Sequence, residues 1–153
     1  MYNHILVSTD GSKLSEKAIR TAFRLAAAIG AKVTGLFVVR PFTPPVYGEG
    51  MIYARRMAPA MFSPAKYRAA CKREGRKALA AAEIESQATR VRYGSAILSA
   101  ENPWEGIVHA AKTKKCDLIV MASHGRRGLA GLLLGSETTK VLTHSKIPVL
   151  VCR

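Results

Sequence analysis

The residues best suited to chemistry lie between positions 118 and 136. An apolar run, Leu118-Ile119-Val120-Met121-Ala122, breaks into Ser123-His124-Gly125, and after a further loop the chain reaches Gly135-Ser136. A buried strand that feeds a helix N-terminus through small residues presents backbone N–H groups to a phosphate. Ser136, the expected N-cap, adds a hydroxyl donor, and Arg126 and Arg127 bring positive charge into the loop. The same pattern describes an ordinary strand-to-helix connection with solvated arginines, so alone it names no ligand. A second candidate is Asp10, which follows the apolar run 4–9. It reads either as a ligand acceptor or as a turn residue that starts the next helix. His124 reads either as a donor to the same ligand or as an exposed loop imidazole.

No catalytic residue is assigned. Gly131-Leu132-Leu133-Leu134-Gly135-Ser136 lacks the lysine of a Walker A loop, and no GxGxxG fingerprint is present. Ser, His and Asp residues occur, but none in a nucleophile elbow. The three cysteines, Cys71, Cys116 and Cys152, are scattered and show no CxxC spacing. They read as free, buried or half-buried thiols, and no metal site is expected.

The elements that must position these residues follow from periodicity. The run 4–9 reads as a buried central strand. Asp10-Gly11-Ser12 turns the chain, Ser12 caps a helix to Ile29, and Gly30 closes it. A strand follows over 32–39. The stretch 40–63 holds Pro41, Pro44, Pro45 and Pro59 and reads as irregular, either a cover for a ligand or a surface insertion. Pro64 opens a helix to about residue 86, with Cys71, Gly75, Ala78, Leu79 and Ala82 turned inward. A third strand is expected over 90–98. A helix then starts at Asn102-Pro103, with Trp104 packed against the sheet or a loop. The fourth strand covers 117–122, a last helix 136–143, and a fifth strand 147–152, opening on Ile147-Pro148 and ending at Cys152. Alternating strands and helices imply an α/β fold, a mainly parallel sheet with helices on both faces. Pattern alone gives no strand order.

With 153 residues the chain is expected to form one domain over 1–153. No run approaches the ~18 apolar residues of a membrane span, and no leader segment is apparent. A cytoplasmic protein is expected. The net charge of +14 favours polyanions as a class, from ATP to RNA, DNA and acidic proteins. Much of it sits at Arg55, Arg56, Lys66, Arg68, Lys72, Arg73, Arg76 and Lys77, against Glu74 alone. Arg68, Lys72 and Arg76 repeat every fourth residue. With so few aromatics interleaved, the stripe reads as a solvated helix face, and nucleic acid is not an expected partner.

The glycine spacing resembles that of the universal stress protein family, in its ATP-binding branch. The family's signature is Gly, two residues, Gly, nine residues, Gly, then Ser or Thr. Here Ala122 is followed by two residues, Gly125, nine residues, Gly135 and Ser136. The opening Ile5-Leu6-Val7-Ser8-Thr9-Asp10-Gly11-Ser12, Val38 near the end of the second strand, and the closing Ile147-Pro148-Val149-Leu150-Val151 agree with it. The resemblance spans essentially the whole chain. It implies a five-stranded, adenine-nucleotide α-hydrolase-like sheet in the order 3-2-1-4-5, with a ligand crevice between strands 1 and 4. It further implies that Asp10 and Val38 hold the adenine end of ATP, and that Met121, Ala122, His124, Gly125, Gly135 and Ser136 hold the ribose and phosphates. Arg126 and Glu137 complete the candidate set. Mg²⁺ or Mn²⁺ would accompany the nucleotide, hydrolysis would be slow at most, and the protein would act as a nucleotide-dependent regulatory switch. A homodimer is expected, paired through 147–152, with an unknown protein as a further partner.

Two positions depart from the family pattern. Ala122 replaces the first glycine, and its Cβ crowds a ligand wherever that position needs positive φ. Glu137 sets a carboxylate beside the expected phosphate site. They leave a second reading, a nucleotide-free dimeric module that binds a protein or RNA through its basic surface.

Overall fold

A computed structural model describes residues 1–43, 63–125 and 134–153. Within them the apolar runs become five strands, β1 (His4–Ser8), β2 (Lys32–Val39), β3 (Tyr93–Ser99), β4 (Leu118–Ala122) and β5 (Val149–Cys152). Four helices alternate with them, α1 (Lys13–Ile29), α2 (Pro64–Thr89), α3 (Pro103–Thr113) and α4 (Ser136–His144). The strands form one parallel sheet in the order β3-β2-β1-β4-β5, as the family resemblance implies. Ile5 pairs with Val33 on one side and Leu118 on the other.

Strand alternation divides the core into two layers. Ile5, Val7, Val33, Leu118 and Val120 face α1, where Ala18, Ala22 and Phe23 meet them. Leu6, Leu36, Ile119 and Met121 face the opposite way, onto Ile107 and Ala111 of α3 and Val141 of α4. Phe23, Ile5, Leu6, Ile19 and Ile119 are fully buried, each contributing roughly 2–3 kcal/mol of transfer free energy.

The helix ends follow local chemistry, with several shifts from the sequence expectation. Ser12 Oγ accepts from the Ser15 N–H at 3.2 Å, and Gly30 closes α1 at φ 72°. Ser63 Oγ accepts from the Lys66 N–H at 3.3 Å, ahead of Pro64. α2 runs past residue 86 to Thr89, because Arg90 itself adopts the left-handed closing conformation at φ 56°. The third strand therefore begins at Tyr93. Along α2, Gly75, Ala78, Leu79 and Ala82 are buried, while Cys71 is only half-buried. A helix of 26 residues is about 39 Å long, longer than any strand of the sheet. β5 begins at Val149, not Ile147: Ser145 Oγ accepts from the Ile147 N–H at 3.0 Å and donates to its carbonyl at 2.8 Å, holding 145–147 in a turn.

The thiols of Cys116 and Cys152 are buried and all three cysteines are unpaired. Burial pushes the Cys116 thiol up to about 11, with Asp117 adding to the shift, so it stays protonated and unreactive near neutral pH. Among the described residues no helix is long and apolar enough to cross a membrane. Most of the 40–63 stretch lies outside the described residues.

Candidate functional site

The strand order sets the carboxyl ends of β1 and β4 side by side, and the chain leaves them in opposite directions. A crevice of about 610 Å³ opens there. Asp10, just beyond β1, accepts from the Ser12 N–H through Oδ1 at 3.0 Å, around Gly11 at φ 77°. Its Oδ2 lies against Gly125, where a Cβ would approach it to 2.7 Å. Below, Thr9 Oγ1 accepts from the Gly11 N–H at 3.0 Å and bonds to Ser15 Oγ at 2.9 Å, both side chains buried. The turn that carries Asp10 is thus fixed at its base.

The end of β4 is fixed by the returning chain. The Gly135 N–H donates to the Ser123 carbonyl at 2.6 Å, and a Cβ on Gly135 would lie 3.1 Å from His124 Cα. Gly135 has ordinary negative φ, so glycine is required here for close approach and not for a left-handed turn. Gly135, not Ser136, is the N-cap of α4; Ser136 is its first helical residue. The correction is one position, and it leaves the first amides of α4 without a capping side chain from the N-cap residue. Thr138, which the sequence reading did not single out, is buried and donates Oγ1 to the Ala122 carbonyl at 3.0 Å, tying α4 to the strand end. Ser123 Oγ and His124 Nδ1 are 3.1 Å apart.

Nine of the ten residues singled out from sequence line this crevice: Asp10, Val38, Met121, Ala122, His124, Gly125, Gly135, Ser136 and Glu137. The tenth, Arg126, lies outside the described residues, as does Arg127. Leu36, Pro103 and Ile107 extend the apolar wall that Val38 begins, and Arg40 adds a cation. Arg40 was hidden from sequence reasoning because it falls at the start of an irregular stretch. Its place beside the crevice depends on β2 being the neighbour of β1.

Both departures from the family pattern have local explanations. Ala122 is an extended residue paired with Cys152, and it packs into the core beneath α1. Positive φ is not required of it. Glu137 turns its carboxylate onto α3, where Oε2 accepts from the Trp104 N–H at 2.8 Å, and Oε1 lies 3.8 Å from Lys140 Nζ. Asn102, at the expected N-cap position of α3, makes no capping bond and donates instead to Glu105 at 3.1 Å.

Among the described residues no group of three His, Cys, Asp or Glu side chains could hold a metal ion. A second groove, about 670 Å³, runs between α1 and α2 over Ala78 and Ala81, with Glu16, Arg20, Glu74 and Lys77 along it. It gathers charges of both signs and none of the glycine-loop residues.

Comparison with known proteins places the chain and its fold. A sequence profile described as the universal stress protein family matches residues 1–153. Universal stress protein YxiE of Bacillus subtilis is 32% identical over 157 residues, covering all of both chains. The solved structure of MJ0577, a universal stress protein of Methanocaldococcus jannaschii, superposes with a TM-score of 0.77 at 26% identity, covering 99% of this chain and 96% of that one. A universal stress protein solved in complex with cAMP superposes with a TM-score of 0.64 at 27% identity, covering 98% and 95%. The family match over the whole chain and the full-length relative at 32% identity, with the shared fold, make the chain a member of the universal stress protein family.

Proposed function

We propose that this protein binds ATP in the crevice between β1 and β4 and acts in the cytoplasm as a nucleotide-dependent regulatory switch. The observation that carries the reading is convergence. An aspartate, two glycines at points of close contact and an N-terminal helix turn surround one crevice of about 610 Å³, within the range of small-molecule sites. The adenine nucleotide in the cAMP-bound relative supports the choice of base.

In this reading the base lies against Val38, Leu36 and Ile107, which offer an apolar wall, and Asp10 accepts from the nucleoside. Gly125 and Gly135 let the backbone come close to the phosphate chain. The amides of Ser136 and Glu137 and the Ser136 hydroxyl donate to phosphate oxygens at the positive end of α4. His124, Met121 and Ala122 border the ribose and phosphates, and Arg126 would add charge. Mg²⁺ or Mn²⁺ would ride on the phosphates, in the manner of ions that keep most of their water and take few protein ligands. The orientation of Glu137, turned onto α3, and the extended backbone at Ala122 support this reading. A homodimer joined through β5 would give the switch a second surface.

The test is calorimetric titration of nucleotide-stripped protein with ATP and Mg²⁺, beside the Gly135→Glu variant. Micromolar binding that the substitution abolishes is expected. Absence of heat and of thermal stabilisation at millimolar ATP would return the protein to the nucleotide-free module.

A further inference from the structure

We propose that Glu137 is a positioning residue for the nucleotide: it sets the span between the wall that receives the base and the cradle that receives the phosphates. The proposal rests on the nucleotide reading and adds a determinant outside the glycine motif.

The two sides of the crevice are built on different helices. Pro103 and Ile107, from the first turns of α3, stand on the base side with Val38, and Ile107 and Val38 belong to the same apolar cluster. Gly135, Ser136 and Thr138, at the start of α4, stand on the phosphate side. Nothing in the covalent chain keeps these helices in register, since β4 and the glycine loop separate them. Apolar packing of Ile107 and Ala111 with Val141 holds them together without direction, and the Glu137 carboxylate adds the directional link. Pro103 has no N–H, so Trp104 offers the first amide donor of α3, and Glu137 Oε2 takes it at 2.8 Å. A carboxylate at a helix N-terminus gains from the helix dipole as well as the hydrogen bond. The contact is repeated one helix length away: the Trp104 ring lies 4.4 Å from the His144 ring, at 33°. Trp104 is thus fastened to both ends of α4.

The same bond explains how an acid is tolerated beside a phosphate site. With the Trp104 amide and Lys140 as partners, the carboxylate is committed to α3. A ligand that touches only the base wall is indifferent to the span, whereas a ligand that touches both sides depends on it. Adenosine and ATP therefore separate positioning from general damage.

The experiment compares adenosine and ATP–Mg²⁺ binding by calorimetry for the wild type, Glu137→Ala and Glu137→Gln. Emission of Trp104, the single tryptophan of the chain, is recorded throughout. Glu137→Ala is expected to lose at least ten-fold in ATP affinity, to keep its adenosine affinity, and to shift Trp104 emission to the red. Glu137→Gln, which retains an acceptor oxygen, is expected to recover most of the ATP affinity and the emission. Unchanged or tighter ATP binding by Glu137→Ala would overturn the proposal, as would equal losses for adenosine and ATP. If the wild type takes up neither ligand, the nucleotide reading itself falls; if it binds ATP and the variants match it, only the role of Glu137 falls.

Discussion

Asp10 faces Gly125 across the switch point, and the consequence of enlarging Gly125 depends on which atom must yield. A Cβ there meets Asp10 Oδ2 at 2.7 Å, the end of a side chain, whereas a Cβ on Gly135 meets backbone at 3.1 Å. Gly125→Ala should displace the carboxylate and leave the fold intact. ATP affinity is expected to fall about ten-fold, the worth of one hydrogen bond to a charged group, with the melting temperature nearly unchanged. Wild-type affinity in Gly125→Ala would remove Asp10 from the site. Tyr93 makes the opposite case. Its hydroxyl is buried beside Gly35 and Leu79 and meets hydrogen-bond geometry with no partner among the described residues. Burial, with Glu83 adding, pushes its ionisation up to about 12. Tyr93→Phe removes an unsatisfied group while keeping the ring contact with Phe23, and should stabilise the protein by about 1 kcal/mol in chemical denaturation. It should also lessen the loss of stability as pH rises from 10 towards 12, the window in which only the unfolded phenol ionises. A destabilised variant would mean the hydroxyl has a partner after all. The site residues on the glycine loop were legible because their spacing is local. Glu137's partner was not, since Trp104 is brought to it by packing and lies 33 positions away.

Elements were legible where their signals were chemical and local. Pro64 and Pro103 mark helix starts, Ser12 caps α1, and short apolar runs mark β1 and β4. Boundaries failed where tertiary contacts decide them, as at Arg90, whose left-handed backbone no sequence rule announces, and at the Ser145 turn before β5. The amino ends of β1 and β4, opposite the crevice, are joined by Asp117, whose carboxylate accepts from the His4 N–H at 2.9 Å and the Asn3 N–H at 2.8 Å. Burial would raise its pKa, but the amides of His4 and Asn3 outweigh burial and hold it below the usual carboxylate value. His4 is buried there, with Nε2 2.8 Å from Thr34 Oγ1. Burial and nearby Lys32 lower its pKa below 6.5, outweighing the opposite pull of Asp117. The unfolded imidazole therefore protonates first as pH falls. Stability should be fully present above pH 6.5 and decline below it, by at most about 1.4 kcal/mol per pH unit from this group. His4→Gln can meet Thr34 without titrating, so its stability should fall less between pH 7 and 5.5 in urea denaturation. Parallel pH profiles for the two proteins would show that His4 is not the group responsible.

At the scale of the whole molecule the open question is what covers the edges of the sheet. β3 and β5 are the two edge strands, and they differ in chemistry. β3 exposes Gly94, Ser95 and Ser99, which solvent satisfies. β5 is apolar throughout and leaves Leu150 37% exposed, while α4 beside it leaves Leu142 41% exposed. An apolar edge with unpaired amides invites another strand, and in the dimer proposed above a two-fold copy of itself would close the assembly. Such a dimer brings together two chains of charge +14, so its stability carries a repulsive term that salt screens. The expected result is a sedimenting species of twice the monomer mass at micromolar concentration, whose dissociation constant falls as ionic strength rises from about 0.01 to 0.15 M. Leu150→Asp places a carboxylate in the apolar contact and should give a folded monomer at every salt concentration, with β1, β2 and β4 untouched. A wild-type monomer, or a variant that dimerises equally well, would exclude β5 as the joining edge. Because β5 also supplies the Cys152 carbonyl that receives the Ser123 N–H at 2.7 Å, the edge and the crevice share one strand end. Dimer formation should then tighten ATP binding in the wild type and leave it concentration-independent in Leu150→Asp, a difference that titrations at two protein concentrations would resolve.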